Sequence, residues 1–314
     1  MPGIRLDKRV PEGREIDIEG RRLRLSNLDK VLYPDGFTKA QVIDYYVRIA
    51  PVMLPHLAGR PLTLKRYPNG TDASFFYEKN CPSHRPDWVH TIPIPSRRGS
   101  EKMINYCLAG DLPTLVWLAN LAAIELHPLL ARQPDVDRPT TLVFDLDPGP
   151  PAGMRECATV AGLVRDVLAG WDLGAYPKTS GSKGLQLYVP LNSEVTYDNT
   201  KSLAHRVAVE LSRDHPRLVV ERMDKSVRGG KVLIDWSQNH PTKTTVAVYS
   251  LRARERPAVS TPVSWEEVAE AAADPKAALS FDTSQVIDRV AALGDLFAEV
   301  ATQRQQIPAG ALSD

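Results

Sequence analysis

The strongest constraint on the fold is an apolar strand that carries two acids, Thr141-Leu-Val-Phe-Asp-Leu-Asp147. Because side chains alternate across a strand, Asp145 and Asp147 face one side while Phe144 and Leu146 face the core. Two carboxylates in such positions repel each other, and removing them from water is costly. A divalent cation that prefers oxygen ligands, Mg²⁺ or Mn²⁺, resolves this conflict. The pattern therefore favours a metal site over the plainer alternative, a solvated strand end with salt-bridged acids.

The segments around this strand alternate in type and indicate an α+β fold. Helices are predicted over about 155–169 and 201–213, and strands over about 175–178, 185–190, 218–221, 232–236 and 246–251. This βαββαβ-like order is typical of an antiparallel or mixed sheet with helices packed on one face. The acidic segment that follows is expected to close the domain with one or two helices.

The first part of the chain has its own helix and hairpin signals. Thr38 and Gln41 form a capping box that begins a helix, and Pro51 and Pro55 are expected to bend or end that helix. Short strands joined by turns are predicted within 61–78.

A second helix is predicted in this part of the chain. It starts after Asp111 and is stopped by Pro128, which places His127 at its C-terminal end. A histidine there can complement the helix dipole or contact a phosphate.

Composition describes a globular chain with room for one large domain or two ordinary ones. Of 314 residues, 43% are apolar and 25% are charged, and no apolar run reaches the 18 residues of a membrane span. Residues 1–9 are charged and contain no signal peptide, so we expect a cytoplasmic protein. Cys81, Cys107 and Cys157 are too few and too scattered for a disulfide framework, and Cys81 with His84 matches no standard zinc finger.

The net charge of +1 conceals an uneven distribution. Residues 222–256 contain eight basic and three acidic side chains, whereas residues 265–299 contain eight acidic and two basic ones. A basic stretch followed by an acidic one can hide nucleic-acid binding behind a neutral sum. Two solvated faces of opposite sign explain the same charges equally well.

Two further segments carry residues suited to phosphate chemistry. Asp235 lies in the apolar strand Val232-Leu-Ile-Asp-Trp236 and could join the first two acids to hold two cations. Alone, it could simply pair with Lys231 or Arg252. The turn Thr179-Ser-Gly-Ser-Lys-Gly184 offers hydroxyls, backbone amides and an ammonium group that can cradle phosphate oxygens, although it is not a Walker A loop.

Four ordered motifs together resemble a known family. They are Leu142-Val-Phe-Asp-Leu-Asp-Pro-Gly149, Thr179-Ser-Gly-Ser-Lys-Gly184, Lys231-Val-Leu-Ile-Asp-Trp-Ser-Gln-Asn239 and Tyr249-Ser-Leu-Arg252, with flanking matches at Asn27-Leu-Asp-Lys-Val-Leu-Tyr-Pro34, Gly59-Arg-Pro61 and Lys65-Arg66. Over about residues 23–300 the chain closely resembles the polymerase domain of bacterial LigD ligases and its stand-alone relatives, including Prim-PolC. These belong to the archaeo-eukaryotic primase superfamily.

The resemblance implies a fold and a division of the chain. The fold is an RRM-like catalytic sheet that carries the aspartates beside an N-terminal α/β module. Residues 1–300 would form a single catalytic domain, followed by a tail over 301–314. Within the domain, the N-terminal module spans about 23–135, the RRM-like module about 138–256, and C-terminal helices 262–300.

The resemblance also implies roles for individual residues. Two Mg²⁺ or Mn²⁺ ions are held by Asp145, Asp147 and Asp235. The incoming nucleotide is contacted by Lys65, His127, Ser180, Lys183, Gln238 and Arg252. DNA is contacted by Asn27, Lys30, Lys39, Phe75, Phe76 and Arg228. In the DNA set, the two lysines receive a 5′-phosphate, the phenylalanines stack on template bases, and the arginine belongs to a mobile basic loop. Because adjacent strand residues face opposite ways, one phenylalanine is expected outside the core.

The implied activity is two-metal-ion nucleotidyl transfer, which adds ribonucleotides or deoxyribonucleotides to a 3′-hydroxyl at short gaps or broken ends. The implied partners are gapped or broken DNA with a 5′-phosphate, NTP or dNTP, and in addition Ku and a separate DNA ligase. A membrane partner is not expected. The location would be the bacterial cytoplasm, at the nucleoid.

Two other classes of protein share parts of the pattern. A haloacid-dehalogenase-type phosphatase also has an apolar strand that ends in two acids, but it needs Gly-Thr after the second acid, where Pro148 stands here. A non-catalytic RRM-like module would explain the basic stretch, but it has no use for three strand-borne carboxylates.

Overall fold

The computed structural model describes residues 13–96, 102–274, 276–277 and 279–312. The strands are β1 Gly13–Ile18, β2 Arg21–Ser26, β3 Pro61–Arg66, β4 Phe76–Glu78, β5 Thr91–Pro95, β6 Met103–Leu108, β7 Ala123–Pro128, β8 Thr141–Pro148, β9 Tyr176–Thr179, β10 Leu185–Pro190, β11 Val219–Val220, β12 Val232–Asp235, β13 Leu251–Arg252 and β14 Ala258–Val259. The helices are α1 Lys39–Leu57, α2 Leu112–Asn120, α3 Met154–Ala169, α4 Tyr197–Asp214, α5 Trp265–Ala273, α6 Thr283–Leu293, α7 Ala298–Thr302 and α8 Ala309–Leu312.

The second half of the chain builds a five-stranded mixed sheet in the order β11-β12-β8-β10-β9. The pair β11 and β12 is parallel, while the other pairs are antiparallel. One face, which includes the fully buried Phe144 and Leu146, packs in a core with α3 and α4. The mixed sheet covered by helices on one face confirms the predicted α+β class.

The opposite face of this sheet meets the N-terminal module. Val143 and Tyr188 belong to the same core as α1, α2 and the first sheet, in which β3 pairs with β4, β6 and β7. Val286 of α6, Val300 of α7 and Phe297, which precedes α7, join that core as well. The acid-bearing face is therefore held against the N-terminal sheet and is not open on all sides.

The edge of β8 next to β12 is completed by a side chain. After Asp235 the chain leaves the sheet in a short 3-10 helix, Trp236–Gln238. The side-chain amide of the fully buried Asn239 then accepts the Val143 N–H at 2.9 Å and donates to the Val143 carbonyl at 2.7 Å. Asn239 thus satisfies the two backbone groups that a longer β12 would have paired.

Two of the predicted helices differ from the structure. The capping box at Thr38 is present, but α1 continues through Pro51 and Pro55 to Leu57, since its buried face packs on the core along its whole length. The helix predicted up to Pro128 ends at Asn120 instead, and Ala123–Pro128 is a strand.

Sheet pairing explains the shorter second helix. Residues 123–128 bond to β3 along its length, so tertiary pairing outweighs the helical pattern of the sequence. Ala122, just before the strand, has φ 56°, a conformation that a helix does not contain. His127 therefore lies on a strand, and the prediction that it ends a helix is wrong.

The predicted strand over 246–251 is also shorter than expected, because only Leu251–Arg252 forms a ladder. Tyr249 has φ 64°, which interrupts extended backbone. The acidic segment forms α5, α6 and α7, and α8 follows within the expected tail, with Ala311 buried.

Cys81 and Cys107, 26 residues apart, form a disulfide, although the sequence pattern indicated no disulfide framework. Their thiols therefore do not act as zinc ligands. Cys157 is free and buried. None of the described helices is both long enough and apolar enough to cross a bilayer.

Candidate active site

Three aspartates lie together on the face of the second sheet that meets the N-terminal module. Strands β12 and β8 are antiparallel, with Asp235 directly opposite Asp145 and Leu233 opposite Asp147. Residues in direct register share a face, and Asp145 and Asp147 share it by alternation. The structure therefore brings together all three residues that the sequence proposed as metal ligands.

The aspartates disturb one another strongly. Burial, followed by the charge of Asp147, raises the pKa of Asp145 to about 7. Burial and the charge of Asp235 raise the pKa of Asp147, although Arg228 and Arg252 act in the opposite direction. Like charges in a desolvated cluster are unfavourable unless a cation accompanies them.

Side-chain amides orient two of these carboxylates. Gln186 Nε2 donates to Asp145 Oδ1 at 3.1 Å, and Gln238 Nε2 lies 3.4 Å from Asp145 Oδ2 and 3.2 Å from Asp235 Oδ2. Gln238 was proposed as a nucleotide contact, but in this structure it bridges two aspartates. Asp235 Oδ1 also accepts the Ser237 hydroxyl at 2.6 Å.

The donor set fits a divalent cation, although the described residues contain no closed cluster of three His, Cys, Asp or Glu side chains. All the candidate ligands are carboxylate oxygens, which Mg²⁺ and Mn²⁺ prefer. Asp147 accepts no hydrogen bond from the described part of the chain, so its oxygens are free to bind a metal. When bound, such cations supply Lewis-acid activation and neutralise charge on phosphates.

The turn between β9 and β10 is fixed by close packing. Ser180 Oγ accepts the N–H groups of Ser182 and Gly184, each at 3.2 Å, while Lys183 is exposed. Gly181 has φ 65°, and a Cβ there would lie 2.8 Å from the Ser260 nitrogen. Only glycine fits without strain, so the turn holds one shape beside the aspartates.

Two arginines near the aspartates keep a buried nitrogen without a hydrogen bond. Within the described residues, neither Arg228 Nε nor Arg252 Nε has a hydrogen-bond partner. The charges of both arginines reach Asp147. One further nitrogen of each group is anchored, since Arg228 Nη2 donates to the Met223 carbonyl and Arg252 Nη1 donates to the Ser180 carbonyl at 2.9 Å. Both guanidinium groups are therefore held near the aspartates, an arrangement suited to phosphate oxygens.

The other proposed nucleotide contacts converge on a residue that the sequence analysis missed, Glu125. Its carboxylate is 2% exposed. His127 Nε2 lies 2.9 Å from Oε2, Arg252 Nε 3.4 Å from Oε2, and Lys65 Nζ 3.3 Å from Oε1. The available signal was a single acid inside the apolar run Ala123–Pro128, but its partners lie on other elements.

A second buried group escaped the sequence analysis. Lys178 is fully buried, and its Nζ donates to Gln186 Oε1 at 2.6 Å and to Ser260 Oγ at 2.7 Å. Burial lowers its pKa well below the ordinary value, while Asp145 acts in the opposite direction. Because Lys178 fixes the amide of Gln186, it sets which end of that amide faces Asp145.

An exposed aromatic surface adjoins Lys65 and Arg66. Phe75, Phe76 and Tyr77 are 48%, 43% and 58% exposed. Lys65 Nζ lies 4.2 Å from the centroid of the Phe75 ring, and the Arg66 guanidinium lies 5.2 Å from that of Phe76. One phenylalanine was expected outside the core and both are, because Phe75 precedes β4 and does not alternate with Phe76.

The residues proposed for a 5′-phosphate lie together before and at the start of α1. Lys39 N donates to the Lys30 carbonyl, and Lys30 N to the Asn27 carbonyl. Lys39 is buried and its Nζ donates to the Ser26 carbonyl at 2.7 Å. Burial, with the charges of Lys30 and Arg66, lowers the pKa of Lys39 to about 8. Arg66 pairs with Glu78 at 2.8 Å, whereas Lys30 and Lys39 pair with no acid in the described part of the chain, so these two cations are suited to an anion.

Known proteins resemble this chain over most of its length. A family model for the LigD primase-polymerase domain matches residues 38–297. A multifunctional non-homologous end joining protein LigD from Mycolicibacterium smegmatis is 46% identical over 281 residues, which cover 88% of this chain and 36% of the relative. A bifunctional LigD from Bacillus subtilis is 32% identical over 294 residues, 93% of this chain and 46% of the relative. The chain thus spans about a third to a half of the length of these relatives.

A solved structure agrees with the sequence matches. The polymerase domain of Mycobacterium tuberculosis ligase D, in complex with DNA, superposes with a TM-score of 0.84 at 42% identity and covers 90% of this chain and 99% of that chain. Fold and site define the class of primase-polymerases, which are nucleotidyltransferases. The chain belongs to the LigD primase-polymerase domain family. The resemblance and its fold are confirmed, and neither a phosphatase nor a non-catalytic binding module is supported.

Proposed function

We propose that this protein fills short gaps at DNA breaks, adding ribonucleotides or deoxyribonucleotides to a 3′-hydroxyl opposite a template. The observation that carries the proposal is the juxtaposition of three aspartates on one sheet face with the guanidinium groups of Arg228 and Arg252, whose charges reach Asp147. The acids are suited to hold cations, and the arginines to hold the phosphates that those cations accompany.

Each group of residues takes one task in this proposal. Asp145, Asp147 and Asp235 hold two Mg²⁺ or Mn²⁺ ions, and Gln186 and Gln238 orient the carboxylates. The triphosphate is received by the turn and the cations around it, namely Lys65, His127, Ser180, Lys183, Arg228 and Arg252. Template bases stack on Phe75 and Phe76, which suits binding without sequence preference.

The decisive experiment is primer extension on a gapped duplex with Mn²⁺. The wild-type protein should extend the primer, and the double variant Asp145→Ala with Asp147→Ala should not. Asp166→Ala is the control, since this acid lies on the solvent face of α3 and, among the described residues, pairs only with its neighbour Arg165. Release of inorganic phosphate from small esters, without extension by the wild type, would reject the proposal.

We further propose that Asn27, Lys30 and Lys39 receive the 5′-phosphate at the far side of a gap. The supporting observation is the proximity of Lys30 and Lys39. Lys39 is buried, and because its pKa is about 8 its ammonium group is still charged at pH 7. Lys30→Ala with Lys39→Ala should weaken binding of 5′-phosphorylated gaps and leave unphosphorylated gaps little changed. An equal loss on both DNAs would contradict this assignment.

The cellular setting is also a proposal. The relatives are named for non-homologous end joining in bacteria, which supports Ku and a separate DNA ligase as partners and a nucleoid location. A pull-down with tagged protein tests the partners, and absence of both from the eluate would argue against them. We also propose that residues 1–300 act as one catalytic domain, which the core shared by both modules and the C-terminal helices supports.

A further inference from the structure

Glu125 is the acid around which the nucleotide-binding cations are arranged. Its side chain accepts hydrogen bonds from Lys65 Nζ and Tyr67 OH at 3.3 Å each, from His127 Nε2 at 2.9 Å, and from the Ala253 N–H at 3.2 Å. Arg252 Nε lies 3.4 Å away and pairs by charge without a hydrogen bond. A carboxylate that is 2% exposed and has this many partners is fixed in position by them.

The partners of Glu125 come from separate elements. Lys65 lies on β3, His127 on β7 and Arg252 on β13, while Arg252 also donates to the carbonyl of Ser180 in the turn after β9. One carboxylate therefore links the N-terminal sheet to the turn of the catalytic sheet. Without it, no other described acid pairs with Lys65 or Arg252, and the cations would repel one another.

The charge balance around Glu125 indicates what the cluster receives. One buried acid faces Lys65, Arg252 and a histidine, so the group keeps an excess of positive charge beside the aspartates. Glu125 is enclosed, whereas Lys65 and Arg252 remain 13% and 18% exposed. The cations can therefore contact an incoming anion while the acid behind them holds their spacing.

We propose that Glu125 is a positioning residue that presents Lys65, His127 and Arg252 as one cradle for the β- and γ-phosphates of the incoming nucleotide. This inference rests on the proposed function. It assigns Glu125 no contact with the substrate. A cradle held from behind distinguishes nucleotides by the length of their phosphate chain, because a monophosphate does not reach all three cations.

The test compares Glu125→Gln with Asp295→Asn. Asp295 is a suitable control, because this partly buried acid also binds a histidine and a tyrosine, His56 at 2.8 Å and Tyr249 at 2.7 Å, outside the proposed site. The first measurement is equilibrium binding of a non-hydrolysable nucleoside triphosphate and of a nucleoside monophosphate. The second is KM for nucleotide and KM for gapped DNA in primer extension.

Glu125→Gln should weaken triphosphate binding at least about tenfold, because its amide presents N–H groups to cations in place of one oxygen. Monophosphate binding and KM for gapped DNA should stay within about twofold, and Asp295→Asn should match the wild type in all three. Unchanged or tighter triphosphate binding by Glu125→Gln would overturn the inference, and so would an equal loss for triphosphate, monophosphate and DNA.

A second variant covers loss of folding in Glu125→Gln. Glu125→Asp keeps the charge and withdraws it by one methylene, so it should show the same triphosphate-specific loss at smaller size. An Asp variant that binds triphosphate like the wild type would contradict positioning. Failure of the wild type to extend primers refutes the proposed function instead, so the two ideas fail on different observations.

Discussion

The two charged centres of this molecule are built on opposite principles. On the catalytic sheet, Asp145, Asp147 and Asp235 crowd acids together, with amides as their main partners. On the N-terminal sheet, Glu125 is a single acid enclosed by cations. The first centre is unfavourable until cations arrive, whereas the second is complete within the protein. In the proposed site, the unfavourable centre would hold the metals and the paired centre would contact the phosphates.

The largest expected effect on activity comes from a substitution in the crowded centre, which is the group of three aspartates. Asp147→Asn should reduce primer extension by about 10³-fold or more, since it removes an oxygen ligand and a charge from the proposed metal site. The same variant should unfold at an equal or higher temperature, because a repelled carboxylate is lost. Extension assays and thermal unfolding in metal-free buffer measure the two quantities. A variant that is both inactive and less stable would remove the contrast between the centres.

A substitution in the paired centre, which is Glu125 with its surrounding cations, should reduce the free energy of unfolding in a pH-dependent way. Burial alone would raise the pKa of Glu125, but the hydrogen bond from His127 and the charges of Arg252 and Lys65 lower it to about 2. A depressed carboxyl pKa contributes stability above its ordinary 4.5 and loses it as the pH falls towards 2. Glu125→Gln should therefore unfold with a free energy lower by about 3 kcal/mol at neutral pH.

Denaturant unfolding at several pH values follows this difference. The gap between wild type and Glu125→Gln should be constant above about pH 5 and should close towards pH 2. Asp295→Asn serves as the control for acid unfolding in general, since the pKa of Asp295 is also lowered, by its His56 and Tyr249 partners against burial. A difference that persists unchanged at pH 2 would show that packing, and not charge, explains the loss.

Lys39 sharpens the comparison, because it is a buried cation that pairs with no acid in the described part of the chain. Its pKa of about 8 means that the ammonium is charged at pH 7 and loses its proton as the pH rises above 8. Affinity for a 5′-phosphorylated gap should fall roughly tenfold between pH 7 and pH 9.5, the size of one charge-assisted hydrogen bond. Fluorescence anisotropy measures this, and Lys39→Arg should flatten the curve. An equal fall for unphosphorylated gaps would assign the effect to another group.

The smallest effect is expected where a cation approaches the crowded centre from solvent. Lys243 Nζ lies 4.0 Å from Asp235 Oδ1 and its side chain is 40% exposed. Lys243→Met should change the rate of extension by about threefold or less, since the solvent around the exposed lysine screens its charge at this distance. A loss as large as that of Asp147→Asn would show that solvent does not screen this pair.

Local pattern was sufficient for two of the three aspartates and not for the paired centre. Alternation along their strand placed Asp145 and Asp147 on one face. Asp235 was proposed as a third ligand because it lies in an equally apolar run and matches the family motif, but its place opposite Asp145 depends on the pairing of β12 with β8. Glu125 and His127 lie in a run that reads as the end of a helix. Their strand forms only because β3 pairs with it, which no local pattern contains.

The same reason accounts for other errors. The Cys81–Cys107 disulfide joins segments 26 residues apart, and the proximity of the two thiols is a property of the folded sheet. Lys178 and Gln186 are opposite each other in the β9–β10 pair, so their contact depends on register that the sequence does not state. Roles carried over from the family concern the ligand-facing side chains, whereas these residues support them from behind.

The way Asn239 closes the edge of β8 has a consequence for the design of the whole site. A single side-chain amide replaces the backbone pairing that further β12 residues would provide. The strand β12 can therefore end at Asp235 without leaving unpaired backbone groups to which another chain could bind. The chain then turns directly into the short 3-10 helix after β12, and this helix places the Gln238 side chain against the acids. Because β12 ends so early, the third acid, Asp235, and the amide that binds it, that of Gln238, come from one short stretch of chain.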